Sequence, residues 1–173
     1  MGAVETRRCL KVFIGVVGVG GLVIAIDLSE DGPRAMALVG ARKGMVKSRA
    51  FEMLCTRLKH FRRVGSNRKR SYLKTFVKRY ARIRSYLEVA RVFLSTEDLL
   101  NFTNVLLHRV AIAIIDDKLY NEIKITYKII EGNPKPRYME NLVVIADNLA
   151  NYFRILLKSS PEKFEEEVRN FEK

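Results

Sequence analysis

Val12 to Ile26 reads VFIGVVGVGGLVIAI, fifteen residues without a charge, and the reading of that stretch decides the fold. A helix that crosses a bilayer needs about 20 apolar residues. Four glycines further disfavour a helix here. The Val and Ile content suits two strands, about Leu10–Val17 and Leu22–Leu28, joined as a β-hairpin through Gly18-Val19-Gly20-Gly21. Ser29-Glu30-Asp31-Gly32-Pro33 is a second turn, and Arg34–Val39 adds a third short strand. The competing reading is a targeting or membrane segment, since Arg7 and Arg8 precede the apolar stretch and Ala35-Met36-Ala37 has a small-x-small form. Asp27, Glu30 and Asp31 separate the two, which removes an orderly cleavage site.

Beyond Met45 the apolar period becomes helical. Phe51, Leu54, Leu58 and Phe61 mark a first helix, broken at Gly65-Ser66-Asn67. A second helix is expected over Arg68–Leu94, inward at Leu73, Phe76, Tyr80, Leu87 and Ala90. Ser95 and Asp98 form a capping box for a third, which buries Leu99, Phe102, Leu106 and Val110 and ends at Asp116-Asp117. Residues 120–130 alternate apolar and polar side chains, the period of a half-buried strand that must pair with something. The amino-terminal hairpin is one partner, a strand of another subunit the alternative. Gly132 to Pro136 is a loop, Met139–Lys158 a fourth helix, and Ser160-Pro161 opens a short acidic last helix. The fold class is α+β and mostly α: a helical bundle with a small strand element at 120–130 and an amino-terminal β-hairpin. Residues 1–41 form an apolar segment, hairpin or membrane anchor, and 42–173 a basic helical domain.

With 48% hydrophobic and 29% charged residues among 173, the chain folds rather than staying disordered. Cys9 and Cys55 make no CxxC pair, which fits a reducing, cytoplasmic setting. Abundant Lys, Arg, Glu and Ile with few Gln resembles thermophile composition. The net charge of +13 points to nucleic acid first, and to an anionic membrane or acidic protein second. That charge is segregated. Residues 42–91 carry 17 basic side chains against Glu52 and Glu88, a net of +15, while 1–41 net zero and 92–173 net −2.

A merely solvated face would mix both signs. Arg70, Lys74, Lys78 and Arg82 recur every fourth residue, one row on a helix, where like charges repel unless phosphates relieve them. Arg68, Lys69, Arg79 and Arg84 widen the row, and Arg57, Lys59, Arg62 and Arg63 cluster just before it. These twelve are the candidate nucleic-acid contacts. Tyr72, Tyr80 and Tyr86 interleave with them, available for packing or for stacking on unpaired bases.

No catalytic, metal or cofactor site is legible. His60 and His108 stand alone in sequence, Asp116 and Asp117 diverge as neighbours, and the glycines match neither a phosphate loop nor a dinucleotide fingerprint. The expectation is a protein that is not an enzyme. Residues 45–158, helices with a small strand insertion on a basic scaffold, resemble the small helical subunit of archaeal type I-A CRISPR surveillance complexes. That resemblance implies a part in antiviral defence, holding a DNA strand within a larger effector. The expected function is a non-catalytic nucleic-acid-binding subunit of such an assembly, gripping DNA or RNA by the backbone beside other protein subunits. The alternative is a membrane-anchored basic adaptor with residues 12–26 inserted.

Overall fold

Eight-residue runs of Val, Ile, Leu, Ala and Met create the centre of the molecule. The computed structural model describes residues 11–13, 21–123, 129–130 and 137–173. β2 (Leu22–Ser29) and β3 (Ala35–Arg42) pair antiparallel along their whole length, from Leu22 opposite Arg42 to Ser29 opposite Ala35. The turn between them uses Gly32 at φ +119°, a conformation open to glycine and to few other residues. Antiparallel β4 (Val89–Phe93) extends β3, while the other edge of β2 takes β5 (Val110–Ile115) in parallel. β1 (Lys11–Phe13) lies against β5, and β6 (Ile129–Ile130) against β1, so the sheet order is β4-β3-β2-β5-β1-β6.

The α+β class stands, but the helices pack on a mixed sheet rather than forming a bundle of their own. Four sequence expectations change. The expected hairpin between 10–17 and 22–28 does not form, because β5 sits between β1 and β2; the hairpin joins β2 to β3 instead. The second helix stops early: α3 covers Lys69–Ile83, and 89–93 is strand β4. The third also stops early: α4 covers Thr96–Leu106, and the run VAIAII is β5. Buried parallel strands are apolar on both sides, so their sequence lacks the alternation that would have marked it as strand. Finally, residues 120–123 of the expected strand belong to α5 (Asp117–Ile123), and only 129–130 pair, with β1. Residues 124–128, the Gly18–Gly20 part of the expected turn and the 132–136 loop lie outside the described residues.

Along β2, Val23 and Ala25 enter one core, Leu22, Ile24 and Ile26 another, as the period of two demands. The first core lies beneath α6 (Arg137–Ser159), which crosses β2 and β3 and buries Leu142, Ile145, Ala146, Leu149 and Phe153. α2 (Arg49–Cys55) and α3 join this layer with Phe51, Phe76 and Tyr80. α7 (Phe164–Phe171) seals it, the Phe171 ring stacking on Tyr80 at 4.9 Å. The second core is covered by α4 and α5 through Leu99, Leu106 and Leu119. Residues 22–41 share their cores with the helices that follow. Residues 12–13 and 22–26 of the apolar segment are strand, and among the described residues no helix is long and apolar enough to cross a membrane.

Gly40 is where β3 tolerates no side chain: a Cβ there would meet Val89 Cγ1 at 2.7 Å and Ile24 Cγ2 at 2.8 Å. Gly40→Val should therefore destabilise the protein by about 1–3 kcal/mol despite the better strand propensity of valine, as read by denaturant unfolding. A neutral result would show that β2 and β4 yield easily at this point.

Candidate functional site

The twelve candidate basic residues do not form one continuous row. α3 turns Leu73, Phe76, Tyr80 and Ile83 inward, which leaves Arg70, Lys74, Lys78 and Arg82 exposed as the four-residue spacing requires. Of that row, Lys78 and Arg82 line a groove between α2 and α3, together with Arg57 and Arg79. Arg70 and Lys74 line neither this groove nor its neighbour. Further along, Arg57, Lys59, Arg63, Arg68 and Arg79 surround a second depression floored by Leu58, Val64 and Phe76. Arg62, Arg63 and Lys69 form part of the rim of a third, larger pocket. Arg84 departs from the prediction: its guanidinium donates to the Glu172 carbonyl and ties down the end of α7.

Elsewhere the cations are paired, as in Arg34–Glu122, Arg42–Glu88, Arg91–Glu172 and Lys118–Glu30. None of Arg57, Lys59, Arg62, Arg63, Arg68, Lys78, Arg79 or Arg82 makes an ion pair among the described residues. The three tyrosines are engaged in packing. Tyr72 donates to the Lys59 carbonyl, Tyr80 to the Phe171 carbonyl, and the Tyr86 ring lies 5.9 Å from Phe51. His108 is exposed in a turn after α4, while Cys55 is buried and its thiol is pushed up to about 12 by desolvation.

The third pocket was not foreseen. It encloses about 580 Å³ at the carboxyl ends of β2 and β5. Because Val23 and Ala25 face α6, Asp27 does too; because Ile114 faces α6, so does Asp116. The parallel register pairs Ile26 with Ile115, and the Asp116 amide donates to the Ile26 carbonyl at 3.1 Å. The two aspartates thus follow side by side, and α6 lays Asp147 against the same space. Asp116 Oδ1 accepts from the Lys118 and Leu119 amides and opens α5. Asp27 accepts from its neighbour Leu28 at 2.8 Å, and no ion pair reaches it among the described residues. Burial first, then the charges of Asp147 and Asp116, hold the Asp27 carboxyl well above the usual aspartate range.

A hydrogen-bonded chain fixes the pocket wall. Ser29 Oγ donates to Asn151 Oδ1 at 3.0 Å, and Asn151 Nδ2 to Asp147 Oδ1 at 2.8 Å. Asp147 Oδ2 accepts from the Phe61 amide at 2.8 Å and meets His60 Nδ1 at 3.1 Å. His60 Nε2 lies 2.7 Å from Glu140, seven residues before Asp147 on α6. The hydrogen bonds from Asp147 and Glu140 raise the imidazole to about 9, so it is an imidazolium at neutral pH. His60 is therefore a latch between the 59–63 loop and α6 rather than an extension of the basic cluster. Among the described residues no three His, Cys, Asp or Glu side chains converge closely enough to hold a metal ion. The strand register sets Asp27 and Asp116 side by side in this pocket.

Sequence reading missed this pocket because Asp27, Asp116 and Asp147 are separated by 89 and 31 residues. Each does, however, interrupt an apolar run (IAID, AIID, VVIAD), a signal that a buried acid at a strand or helix end leaves in a sequence. Comparisons with protein-family models and with curated proteins return no match.

Two stability measurements check this electrostatic description. Asp27→Asn should raise the melting temperature by a few degrees at pH 7, since about 1 kcal/mol is worth about 2–4 °C in a domain of this size. A raised carboxyl pKa costs stability only above the unfolded value, near 3.8, so the gain should vanish below that pH. His60→Ala should cost about 1.5–3 kcal/mol below pH 6.5. That cost should shrink as pH rises through about 9, where the imidazolium loses its proton.

Proposed function

We propose that this protein binds nucleic acid through its unpaired arginines and lysines and hydrolyses the phosphodiester backbone at the Asp27–Asp116 pocket with the help of divalent cations. The observation that carries the reading is the placement of those two aspartates. They sit side by side at the ends of parallel strands, with Asp147 opposite, in a pocket whose lining also includes Glu30, Asp31, Asp117 and Glu140 and whose rim carries Arg62, Arg63 and Lys69. A surface that only held phosphates would gain nothing from carboxylates there, because like charges repel. A cation between carboxylate and phosphate turns that repulsion into attraction.

Magnesium suits such a pair: it usually keeps several waters and takes one or two protein carboxylates, with substrate phosphate completing its shell. A cage of three protein ligands is not required. When bound, such ions supply charge neutralisation on the phosphoryl oxygens and an activated water. The chain's own part is to orient that water and phosphate through Asp27 and Asp116, to fix Asp147 through His60, and to seat the flanking phosphates on Arg62, Arg63 and Lys69. The reading departs from the expectation of a protein without catalysis, and keeps the expectation of backbone binding.

A second reading, a strand-holding subunit without chemistry as the CRISPR small-subunit resemblance implies, is favoured by the absence of three converging ligands among the described residues. Both readings give affinity that falls with salt and carries no base code.

The deciding experiment incubates the purified chain with labelled DNA and RNA oligonucleotides in Mg²⁺ or Mn²⁺. Hydrolysis should appear, stop with EDTA, and fall at least about a hundredfold in Asp27→Asn and in Asp116→Asn while binding persists. Tight binding with no cleavage of any substrate in either metal would leave the holding function in its place.

A further inference from the structure

The depressions on this surface adjoin one another. The acid pocket and the depression beside it share Arg63. That depression and the α2–α3 groove share Arg57, Thr75 and Arg79, and the groove continues past Met53, Leu54 and Arg82 to the end of α3. α3 has 15 residues, so the path beside it is about 22 Å long. Its walls carry cations that make no ion pair among the described residues, and its accessible apolar lining is Met53, Leu54 and Leu58.

We infer that this path is the track of a single-stranded nucleic acid, which runs from the α2–α3 groove past Arg57 and Arg79 to Arg63 and into the acid pocket. The inference rests on the proposed reading of that pocket and names the form of its substrate. Two features select a single strand. An apolar lining rewards contact with base and sugar faces, and a duplex keeps its base faces stacked inward. A duplex also presents its phosphates on a stiff convex surface, which meets the exposed tips of Arg70 and Lys74 before it reaches the half-buried Arg79 at the junction of two depressions. Arg70 and Lys74, which line neither depression, are thus a built-in control. The pair has the same charge, lies on the helix that carries Lys78 and is off the track.

The test is fluorescence anisotropy with a labelled 12-nucleotide single strand and the blunt duplex of the same sequence, in EDTA so that nothing is cleaved. Arg57→Gln/Lys78→Gln should weaken single-strand binding about tenfold or more, because two charged hydrogen bonds to phosphate are lost. The same variant should change duplex binding little, and Arg70→Gln/Lys74→Gln should leave single-strand binding nearly as it was. The log–log salt slope for the single strand should lessen by about 1.4 in the groove variant, about 0.7 for each phosphate that is no longer neutralised. Arg79→Gln should act in the same direction; because it is half-buried, its melting temperature is measured alongside, and the two exposed substitutions decide if it fails to fold.

Equal weakening for strand and duplex, or a control pair as damaging as the groove pair, would overturn the track. Cleavage that ignores the groove variants would do the same while leaving the proposed activity intact. Groove-dependent binding of single strands with no hydrolysis in any metal would sink the activity and leave the track.

Discussion

The parallel pairing of β2 with β5 is the constraint on which the rest of the molecule depends. Parallel neighbours cannot be joined by a tight turn, so the chain must make a long excursion and return in the same direction. Here that excursion runs from Glu30 to Arg109 and contains β3, β4 and the entire basic stretch. Its return brings Ile115 level with Ile26, and so sets Asp116 beside Asp27. Because the two strands point the same way, both carboxyl ends open at one end of the sheet. The crevice outside the carboxyl ends of parallel strands is where open sheets accommodate ligands.

Two buried aspartates side by side are costly, and the surroundings offset only part of that cost. Asp116 is stabilised by the α5 amides and Asp147 by His60, Phe61 and Asn151. Asp27 has its neighbour's amide and the more distant field of His60. The remaining strain is local and electrostatic, and a core built for stability alone would have carried an apolar residue there. The latch through His60 also has a mechanical consequence. It anchors the 59–63 loop, which bears Lys59, Arg62 and Arg63, onto the helix that supplies Asp147. The most acidic and the most basic parts of the surface are thereby held in one register.

The charge distribution is consistent with this division of labour. Cations on β3, β4 and the turns find carboxylates, whereas among the described residues those along the α2–α3 face make no ion pair and Glu52 pairs with Arg137 instead. Leaving them unpaired costs a few tenths of a kcal/mol for each like-charged neighbour on the helix. A polyanion lying across them would relieve that repulsion.

What the sequence determined by itself was whatever depends on near neighbours. The four-residue spacing exposed Arg70, Lys74, Lys78 and Arg82 together, and Ser95 with Asp98 capped α4. The apolar period of 139–158 made α6, and Val/Ile content made β2 and β3 strands. The tertiary structure alone decided which strands pair, because β4 and β5 are only five and six residues long and the apolar run of β5 lacks the alternation that would identify it as a strand. It alone decided that Arg84 serves the end of α7 and that Lys78 and Arg82 line the groove while Arg70 and Lys74 do not. Above all it decided the acid pocket. Asp27, Asp116 and Asp147 lie far apart in the chain, and their proximity is a product of strand register and helix packing. Their electrostatic coupling acts through space, so no local pattern of residues encodes it.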